Sequence, residues 1–433
     1  MPITPQDREI LRLAVPAFGA LVAEPLFLLA DYAIVGHALG TAAVGALGVA
    51  GTILTTLVSL CVFLAYGTTA QVARLTGAGE HTRAMRSGVD GLWLALGIGL
   101  ALIALGWPLA PAIVEVFGAT PEQSAAAVTY LRISLLGTPA MLVILAGTGV
   151  LRGLQDTVTP LAVATGSFAL NAALNAWFVL GLGWGIAGSA WGTVAAQTLG
   201  ATVYVAVVVR GARRSGTSLL PHPQGVRQAG TAGFALLIRT VCMRIVILVA
   251  TAVATRMGPP ELAAYAVAVQ VWTLLAFALD AIAIAGQAIT GRTLGAGDVA
   301  ATRAATRRMV WWGLWSGVAL GALVLLARPL VPPLFAADPE VTAHLLAVLW
   351  PVALFQPICG VVFVLDGVLI GAGDQRYLAW AGVWTTLAYL PAAYLASGYD
   401  VVVLWCALGV WMLARLLTLA RRANGTAWLV TGA

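Results

Sequence analysis

The sequence contains no lysine, and charged residues make up only 9% of its 433 residues. A soluble globular domain carries about 25% charged residues, so this chain lacks the polar surface that a water-soluble protein of its length needs. Hydrophobic residues reach 61% of the chain, and its mean hydropathy is +0.95. These values predict a polytopic integral membrane protein.

Cysteine and histidine are too few and too scattered to indicate a metal, haem or redox site. The four cysteines lie singly within apolar runs, and the four histidines fall in loops or near the ends of predicted spans. No G-x-x-x-x-G-K-[ST] nucleotide-binding motif occurs. We therefore expect no metal, no cofactor, no nucleic-acid partner and no catalytic residue. The cysteines are interpreted as small buried hydrophobic residues.

Apolar runs long enough to cross a bilayer, about 20 residues each, occur twelve times in the sequence. Runs of this length without alternation predict helices, because only helices and closed barrels can cross lipid. The predicted spans are 10–36, 44–73, 88–113, 124–150, 158–181, 186–210, 230–256, 262–291, 309–331, 342–370, 377–397 and 401–420.

The distribution of arginine predicts the orientation of the spans. If both termini are cytoplasmic, most of the 23 arginines, Arg415 included, fall on the cytoplasmic side. The opposite side receives only Arg132, Arg256 and Arg328. This asymmetry follows the positive-inside rule, so we expect a multi-pass protein of the inner or plasma membrane with both ends in the cytoplasm.

Four matches in one register indicate an internal repeat. The matched pairs, each offset by 218 residues, are ARLTGAGE (73–80) with GRTLGAGD (291–298), GVLRGLQD (149–156) with GVLIGAGD (367–374), FGATPE (117–122) with FAADPE (335–340), and Pro139 with Pro357. The repeat predicts an N-lobe at 1–210 and a C-lobe at 229–433, joined by a cytoplasmic linker at 211–228. Six spans in each lobe make the repeats parallel, which suits alternating access.

Ionisable side chains inside the spans are candidates for function, because each costs about 2.5–3.5 kcal/mol to insert and usually faces a cavity or a partner. Glu24 and Asp31 are seven residues apart and share one face of the first helix. Pro25 removes a backbone donor between them and favours a hinge there. Asp31 is interpreted as a group that takes up and releases a proton, with a structural ion pair as the alternative. For Glu24, pairing with an arginine is an equal alternative.

Two amides in the fifth span, Asn171 and Asn175, lie four residues apart and therefore on one helix face. Paired amides in lipid suggest a polar patch that lines a cavity. Hydrogen bonding between helices would explain them equally well.

The second half of the chain has ionisable residues of its own within predicted spans. They are Arg239, Arg244, Asp280 and Asp366. The acids are not shared by the repeat, because Val62 and Thr148 stand 218 residues before them. We interpret this group as a buried Asp–Arg cluster that sets packing or topology. Coupling or substrate contact is the alternative.

Several stretches are similar to those of a known transporter family. The first hydrophobic stretch, LAVPAFGALVAEPLFLLADYAIVGHALGTAAVGALGVA, resembles the first helix of multidrug and toxic compound extrusion (MATE) transporters, with Asp31 at the position of their first-helix aspartate. VLRGLQDTVTPL and VLIGAGDQRY resemble their fourth and tenth helix ends, and GLGWGIAGSAWGT resembles their fifth-to-sixth turn. LDGVLIGAGD and FALDAIAIAGQ point to the DinF-like branch. The resemblance covers essentially the whole chain.

This resemblance implies an all-α fold of the MOP superfamily, with twelve transmembrane helices in two six-helix lobes around a central cavity. It also implies export of organic, often cationic or amphipathic compounds in exchange for protons or sodium. In relatives a polar cluster surrounds the first-helix aspartate. The matching positions here are Asp31, Tyr130, Asn171, Asn175 and Thr193. Many relatives carry a second aspartate where this chain has Asn175, and the loss of that charge weakens a sodium site and favours protons.

We therefore expect a multidrug efflux antiporter that works by alternating access and is driven by a proton gradient, with sodium less favoured. Its partners would be a small organic substrate and the lipid bilayer, and a monomer would be functional. The alternatives are sodium-coupled antiport, a flippase for a lipid-linked precursor, a membrane-embedded enzyme and a passive channel. A flippase would line its cavity with arginine to hold phosphates, whereas the N-lobe candidates are acidic and amidic.

Overall fold

The computed structural model describes residues 4–118, 120–335 and 338–432, without the side chains of Glu24, Thr41 and Glu122. All regular secondary structure in these residues is helical, as predicted. A π-helical turn, Trp177–Gly181, follows α7, and a 3-10 turn, Arg328–Leu330, precedes α12. The α-helices are α1 Pro5–Leu39, α2 Thr41–Leu60, α3 Phe63–Gly77, α4 His81–Glu115, α5 Pro121–Leu136, α6 Thr138–Gly153, α7 Val158–Ala176, α8 Gly185–Arg214, α9 Pro223–Met257, α10 Pro259–Gly295, α11 Val299–Ala327, α12 Val331–Phe335, α13 Pro339–Leu354, α14 Gln356–Gly371, α15 Gln375–Ala396 and α16 Val401–Asn424.

The described residues contain nine helices that are long and apolar enough to cross a membrane, or eleven if two bent pairs each count as one span. The bent pairs are α5 with α6 and α13 with α14. The remaining predicted span, 377–397, coincides with α15, whose tryptophan, tyrosine and threonine side chains make it less apolar than the others. The chain is therefore a multi-pass membrane protein.

Two compact units make up the chain. The N-terminal unit is Gly19–Gly233, and the C-terminal unit is the described part of Met1–Phe18 and Phe234–Ala433. Residues 211–214 and 223–228 of the predicted linker are helical, so the loop itself is limited to 215–222. The lobe boundaries 1–210 and 229–433 stay predictions.

Each unit contains the same packing arrangement, in the register of the sequence repeat. In the N-terminal unit α6 packs against α3, α4 and α8, and in the C-terminal unit α14 packs against α10, α11 and α16. A Cβ atom at Gly149 would overlap the carbonyl oxygen of Ala65, and one at Gly367 would overlap that of Ala283. Glycine is required at both positions because the helix backbones touch there. Both bent pairs also turn by 49°.

The first residues of α1 are anchored within the C-terminal unit. Asp7 is 1% exposed and accepts hydrogen bonds from Arg308 Nε at 2.6 Å and Arg308 Nη2 at 2.7 Å. Trp312 Nε1 donates to the same carboxylate at 2.7 Å. Two residues further on, Glu9 accepts a hydrogen bond from Arg292 at 2.6 Å. This start of the helix is therefore held by charge-assisted hydrogen bonds rather than by apolar packing alone.

The prediction that all four cysteines are buried is wrong for Cys406. Cys61, Cys242 and Cys359 are buried, whereas Cys406 is exposed, and all four are free thiols. An apolar residue in a membrane helix can face outward at little cost, because lipid tails are as apolar as a protein core. Apolar sequence context therefore does not predict burial in such a helix.

Candidate functional site

Asp31 lies in the part of α1 that belongs to the N-terminal unit, and it is 2% exposed. The side-chain amide of Asn175 on α7 donates a hydrogen bond to Asp31 Oδ1. Asn175 also lies 3.4 Å from the Oδ1 atom of Asn171, one helical turn earlier. Asn171 in turn donates to Thr193 Oγ1 on α8 at 3.0 Å. Four of the five residues predicted by family resemblance thus form one connected polar chain across three helices.

The close approach of α7 and α8 positions this polar chain. Asn171 and Asn175 are completely buried, and a Cβ atom at Gly192 would overlap Asn175 Oδ1. Glycine at 192 therefore makes the space that the amide occupies. Thr193 is oriented by its own hydrogen bond to the carbonyl oxygen of Ser189 at 3.1 Å. The sequence analysis did not single out Gly192 or Ser189, although both lie in the glycine-rich stretch after the fifth span.

A cavity of about 730 Å³ opens beside Asp31 within the N-terminal unit. Tyr130, the fifth predicted residue, lines this cavity and is 4% exposed. Most of the wall is apolar or aromatic. The lining residues are Phe27, Leu28, Asp31, Tyr32, Leu47, Gly51, Leu54, Thr55, Val58, Tyr130, Ser134, Thr138, Met141, Thr193 and Gln197.

One oxygen of this site, Asn175 Oδ1, is buried without a hydrogen-bond partner among the described residues. Ser134 and Ser189 are buried beside the hydroxyl group of Tyr130. An unpaired polar atom of this kind costs free energy unless a ligand or water satisfies it. The site therefore has spare hydrogen-bonding capacity beside its carboxylate.

The second predicted group contains a direct contact between an arginine and an aspartate. Arg239 donates from two nitrogens to the carboxylate of Asp366, the Nε–Oδ1 distance being 3.1 Å. Asp280 is half-buried in α10, and Arg244 is exposed on α9. The side chain of Glu24 lies outside the described part, and Pro25 lies inside α1, which is helical on both sides of it. The hinge and the roles of these residues stay predictions.

Arg415 is a member of this second group that the sequence analysis missed. Its Nη2 atom lies 3.5 Å from Asp366 Oδ1, and its side chain is buried in the C-terminal unit. The sequence analysis considered it only for topology, among the cytoplasmic arginines, and that side of the membrane stays a prediction. The signal was present, because Arg415 falls within the predicted span 401–420 and an arginine inside a span requires a partner.

Among residues 4–118, 120–335 and 338–432, no three histidine, cysteine, aspartate or glutamate side chains are grouped so that they could hold a metal ion.

Comparisons with known proteins agree with the fold and the repeat. The MatE family profile matches residues 16–177 and 235–395. Protein DETOXIFICATION 44, chloroplastic, from Arabidopsis thaliana is 29% identical over 96% of this chain and 81% of its own length. DNA damage-inducible protein F from Escherichia coli strain K12 is also 29% identical, over 99% of this chain and 95% of its own length.

Solved structures give the same answer at the level of the fold. A MOP superfamily transporter from Pyrococcus furiosus is similar with a TM-score of 0.87 and 21% identity, covering 98% of this chain and 97% of that one. The family profile covers most of the sequence, in two segments that correspond to the two halves of the repeat. The chain belongs to the MatE family, the multidrug and toxic compound extrusion transporters, and is a membrane transporter rather than an enzyme.

Proposed function

We propose that this transporter exports organic compounds, cationic or amphipathic, in exchange for protons, and that Asp31 couples the two movements. The wall of the cavity beside Asp31 combines apolar and aromatic side chains with a few polar ones. Such a lining suits ligands with an apolar body and a single charged or polar group.

One observation carries the proposal. Asp31 is buried beside the cavity and its hydrogen-bond partner is the uncharged amide of Asn175, with no cationic side chain paired to it in the described residues. A buried carboxylate without a counter-ion is costly when ionised. It is neutralised either by a proton or by a cationic ligand, and these two alternatives exclude each other at one carboxylate.

This competition for Asp31 couples the export of substrate to the entry of a proton. Ionised Asp31 attracts a cationic substrate from the cytoplasm, and a proton that arrives from the other side removes the attraction and releases the substrate. By linkage, the substrate weakens proton binding by the same factor by which the proton weakens substrate binding. The amide of Asn175 supports the ionised form by donating a hydrogen bond, and Pro25 supplies the hinge that lets α1 respond to the charge.

Protons are favoured over sodium because Asp31 is the single carboxylate of the site among the side chains that the structure describes. Hard cations require several oxygen ligands and charge compensation, and the neighbour of Asp31 is the neutral Asn175. We further propose that the chain acts as a monomer, in an inner or plasma membrane with both termini cytoplasmic, as its arginine distribution suggests.

The test is transport of a fluorescent cationic dye in proteoliposomes, under a proton gradient or a sodium gradient imposed separately. Wild type is compared with Asp31→Asn and with a matched control, Asp338→Asn. Asp338 is exposed and caps α13, and asparagine caps a helix equally well. Thermal unfolding of each purified variant shows whether it is folded.

We expect proton-driven dye flux in the wild type and the control, and its loss in folded Asp31→Asn. Proton-driven flux that persists in Asp31→Asn would overturn the role of Asp31. Flux driven by sodium alone would overturn the choice of proton.

A further inference from the structure

The first turns of α9 belong to the N-terminal unit, although the rest of that helix belongs to the C-terminal unit. The boundary lies inside the helix, after Gly233. α1 is divided in the opposite sense, since the N-terminal unit begins at Gly19 and the earlier turns belong to the C-terminal unit. Both helices start at a proline, Pro5 and Pro223, in the register of the repeat. Each unit therefore contains the start of a helix whose remainder belongs to the other unit.

Asp90 on α4 holds the first turn of α9. Its side chain is buried, and Asp90 Oδ1 accepts a hydrogen bond from the backbone N–H of His222 at 2.8 Å. A Cβ atom at Gly225 would overlap Asp90 Oδ2, so glycine is required there for the carboxylate to approach the helix backbone. The N–H groups of a first helical turn lack partners within the helix and favour a negative charge. The carboxylate of Asp90 therefore acts as a cap supplied by another helix.

The equivalent positions are also in contact in the C-terminal unit, with different chemistry. The offset of 218 residues relates Gly225 to Asp7, and Asp90 to Arg308. Asp7 and Arg308 form the ion pair that anchors the start of α1. The starts of two equivalent helices are thus held at equivalent positions, by an ion pair in one unit and by a carboxylate and backbone N–H groups in the other. This agreement in register indicates that the anchor is part of the repeated architecture.

The linker that precedes α9 lies along the same face of α4. Trp93 Nε1 donates to the carbonyl oxygen of Leu219 at 2.9 Å, and Thr217 Oγ1 donates to that of Thr82 at 3.2 Å. Thr82, Asp90 and Trp93 share one helix face, because they are separated by eight and three residues. The linker is therefore bound to α4 at several points and is not a free tether.

We infer that Asp90 is a positioning residue of the transport cycle, which keeps the first turn of α9 fixed to α4 in every state of the transporter. Alternating access in transporters with repeats moves one repeat against the other, and α9 joins the two units covalently. A fixed start transmits movement of the helix to α4, whereas a loose start would absorb it. Asp90 lines a cavity with His222 and Gly225 that is separate from the one beside Asp31. It therefore sets the rate of the cycle and not the affinity for substrate.

A disulfide can replace the contact between Asp90 and α9. Asp90 Cβ lies 3.6 Å from a Cβ atom placed at Gly225, within the range of about 3.5–4.5 Å found in disulfides. The test uses Asp90→Cys/Gly225→Cys together with Cys406→Ser, because Cys406 is exposed. Ethidium transport into proteoliposomes is measured before and after oxidation, under the ion gradient that drives the wild type, and maleimide labelling shows that the disulfide has formed. The inference rests on transport and not on the choice of proton.

We expect the reduced double variant to transport ethidium with an unchanged KM and a maximal rate at least about tenfold lower, the effect of one hydrogen bond to a charged group. Oxidation should restore the rate, because the disulfide replaces the lost contact. Asp400→Ala is the control. Asp400 is exposed and caps α16, a helix wholly within the C-terminal unit, by accepting from the N–H of Val403 at 3.0 Å. Its removal deletes a helix cap and should leave the maximal rate unchanged.

Hydrogen exchange of the backbone amides of residues 222–226 measures the anchor without transport. Asp90→Ala should accelerate this exchange at least about tenfold, whereas Asp400→Ala should not. Asp90→Asn keeps an acceptor for His222 without the charge, so it should give an intermediate exchange rate and replaces Asp90→Ala if that variant does not fold.

Transport by the reduced double variant that stops on oxidation would overturn the inference, because the contact would then have to open during the cycle. A wild-type maximal rate in the reduced variant, or a raised KM with an unchanged rate, would overturn the role of Asp90 in the cycle. Unchanged hydrogen exchange in Asp90→Ala would overturn the anchor itself. Loss of transport in Asp31→Asn, or drive by sodium, bears on the proposed function and leaves these outcomes separate.

Discussion

Replacing Asn175 by aspartate should convert the proposed proton site beside Asp31 into one that binds sodium. The side-chain amide of Asn175 donates to Asp31 and approaches Asn171. Asn175→Asp removes that donor and places a second carboxylate within hydrogen-bond distance of the first. The polar oxygens already present at Asn171 and Thr193 would then surround two negative charges instead of one.

The size of the effect follows from the distance between the two carboxylates. Two unit charges about 4 Å apart repel by about 4 kcal/mol at an effective dielectric constant of about 20. Since 1.4 kcal/mol is a factor of ten, the doubly ionised site is disfavoured by about three orders of magnitude. A shared proton or a bound cation relieves this repulsion, and sodium is the cation that the experiment supplies.

Thermal unfolding of the purified protein in sodium chloride and in choline chloride, at equal ionic strength, measures the effect. A sodium site with a Kd of about 1 mM would stabilise the fold by about 2.7 kcal/mol at about 100 mM sodium. Wild type should show no difference between the two salts. Asn424→Asp, the same change at an exposed position on α16, is the control and should behave as wild type does. An Asn175→Asp protein that responds equally to both salts would refute the reasoning.

Three further changes test the packing that supports the site and the fold. Gly192→Ala should displace the Asn175 amide and reduce proton-driven dye flux without changing any charge, whereas Gly166→Ala on α7, with open space around it, should not. Gly149→Ala should lower the free energy of unfolding by about 1–3 kcal/mol, because the new methyl group pushes α6 away from the Ala65 carbonyl oxygen. Gly97→Ala is its control, since a Cβ atom at Gly97 has no neighbouring atom within 4 Å. Equal free energies of unfolding for the two variants would contradict the contact. Asp7→Asn should lower the melting temperature more than Glu9→Gln does. The reason is that Asp7 is buried and accepts hydrogen bonds from Arg308 and Trp312, whereas Glu9 is partly exposed. A larger loss of melting temperature in Glu9→Gln would contradict this reasoning.

Composition and run length were sufficient to predict the helical membrane fold. The spans follow from the length of apolar runs, and α15 is the weakest case because its tryptophan and tyrosine side chains dilute the apolar signal. The repeat was visible as matched loops, and the structure adds that Gly149 and Gly367 make equivalent contacts. Backbone contacts of this kind leave a sequence signal, because only glycine is tolerated there.

The polar site was harder to predict, because its residues are distant in sequence. The four-residue spacing of Asn171 and Asn175 was enough to place them on one helix face. The free-energy cost of inserting a charged side chain into a membrane was enough to single out Asp31. Tyr130 and Thr193 could be predicted only from the family resemblance, since tyrosine and threonine are common inside apolar helices and cost little free energy there. Arg415 was missed because counting arginines for topology treats every arginine as one at the membrane surface, whereas this one is buried 3.5 Å from Asp366.

The shared packing of the two units has a consequence for how the chain diversified. The equivalent glycine contacts and the equal bends lie at positions where a change would force helices apart. The charged groups do not correspond: Val249 stands at the repeat position of Asp31, and Gln197 at that of Arg415. The two units thus share the packing of their helices but differ in their buried charged residues. A substitution at a buried charged position can therefore change which ligand one unit binds while the glycine contacts that hold the helices of both units together stay the same.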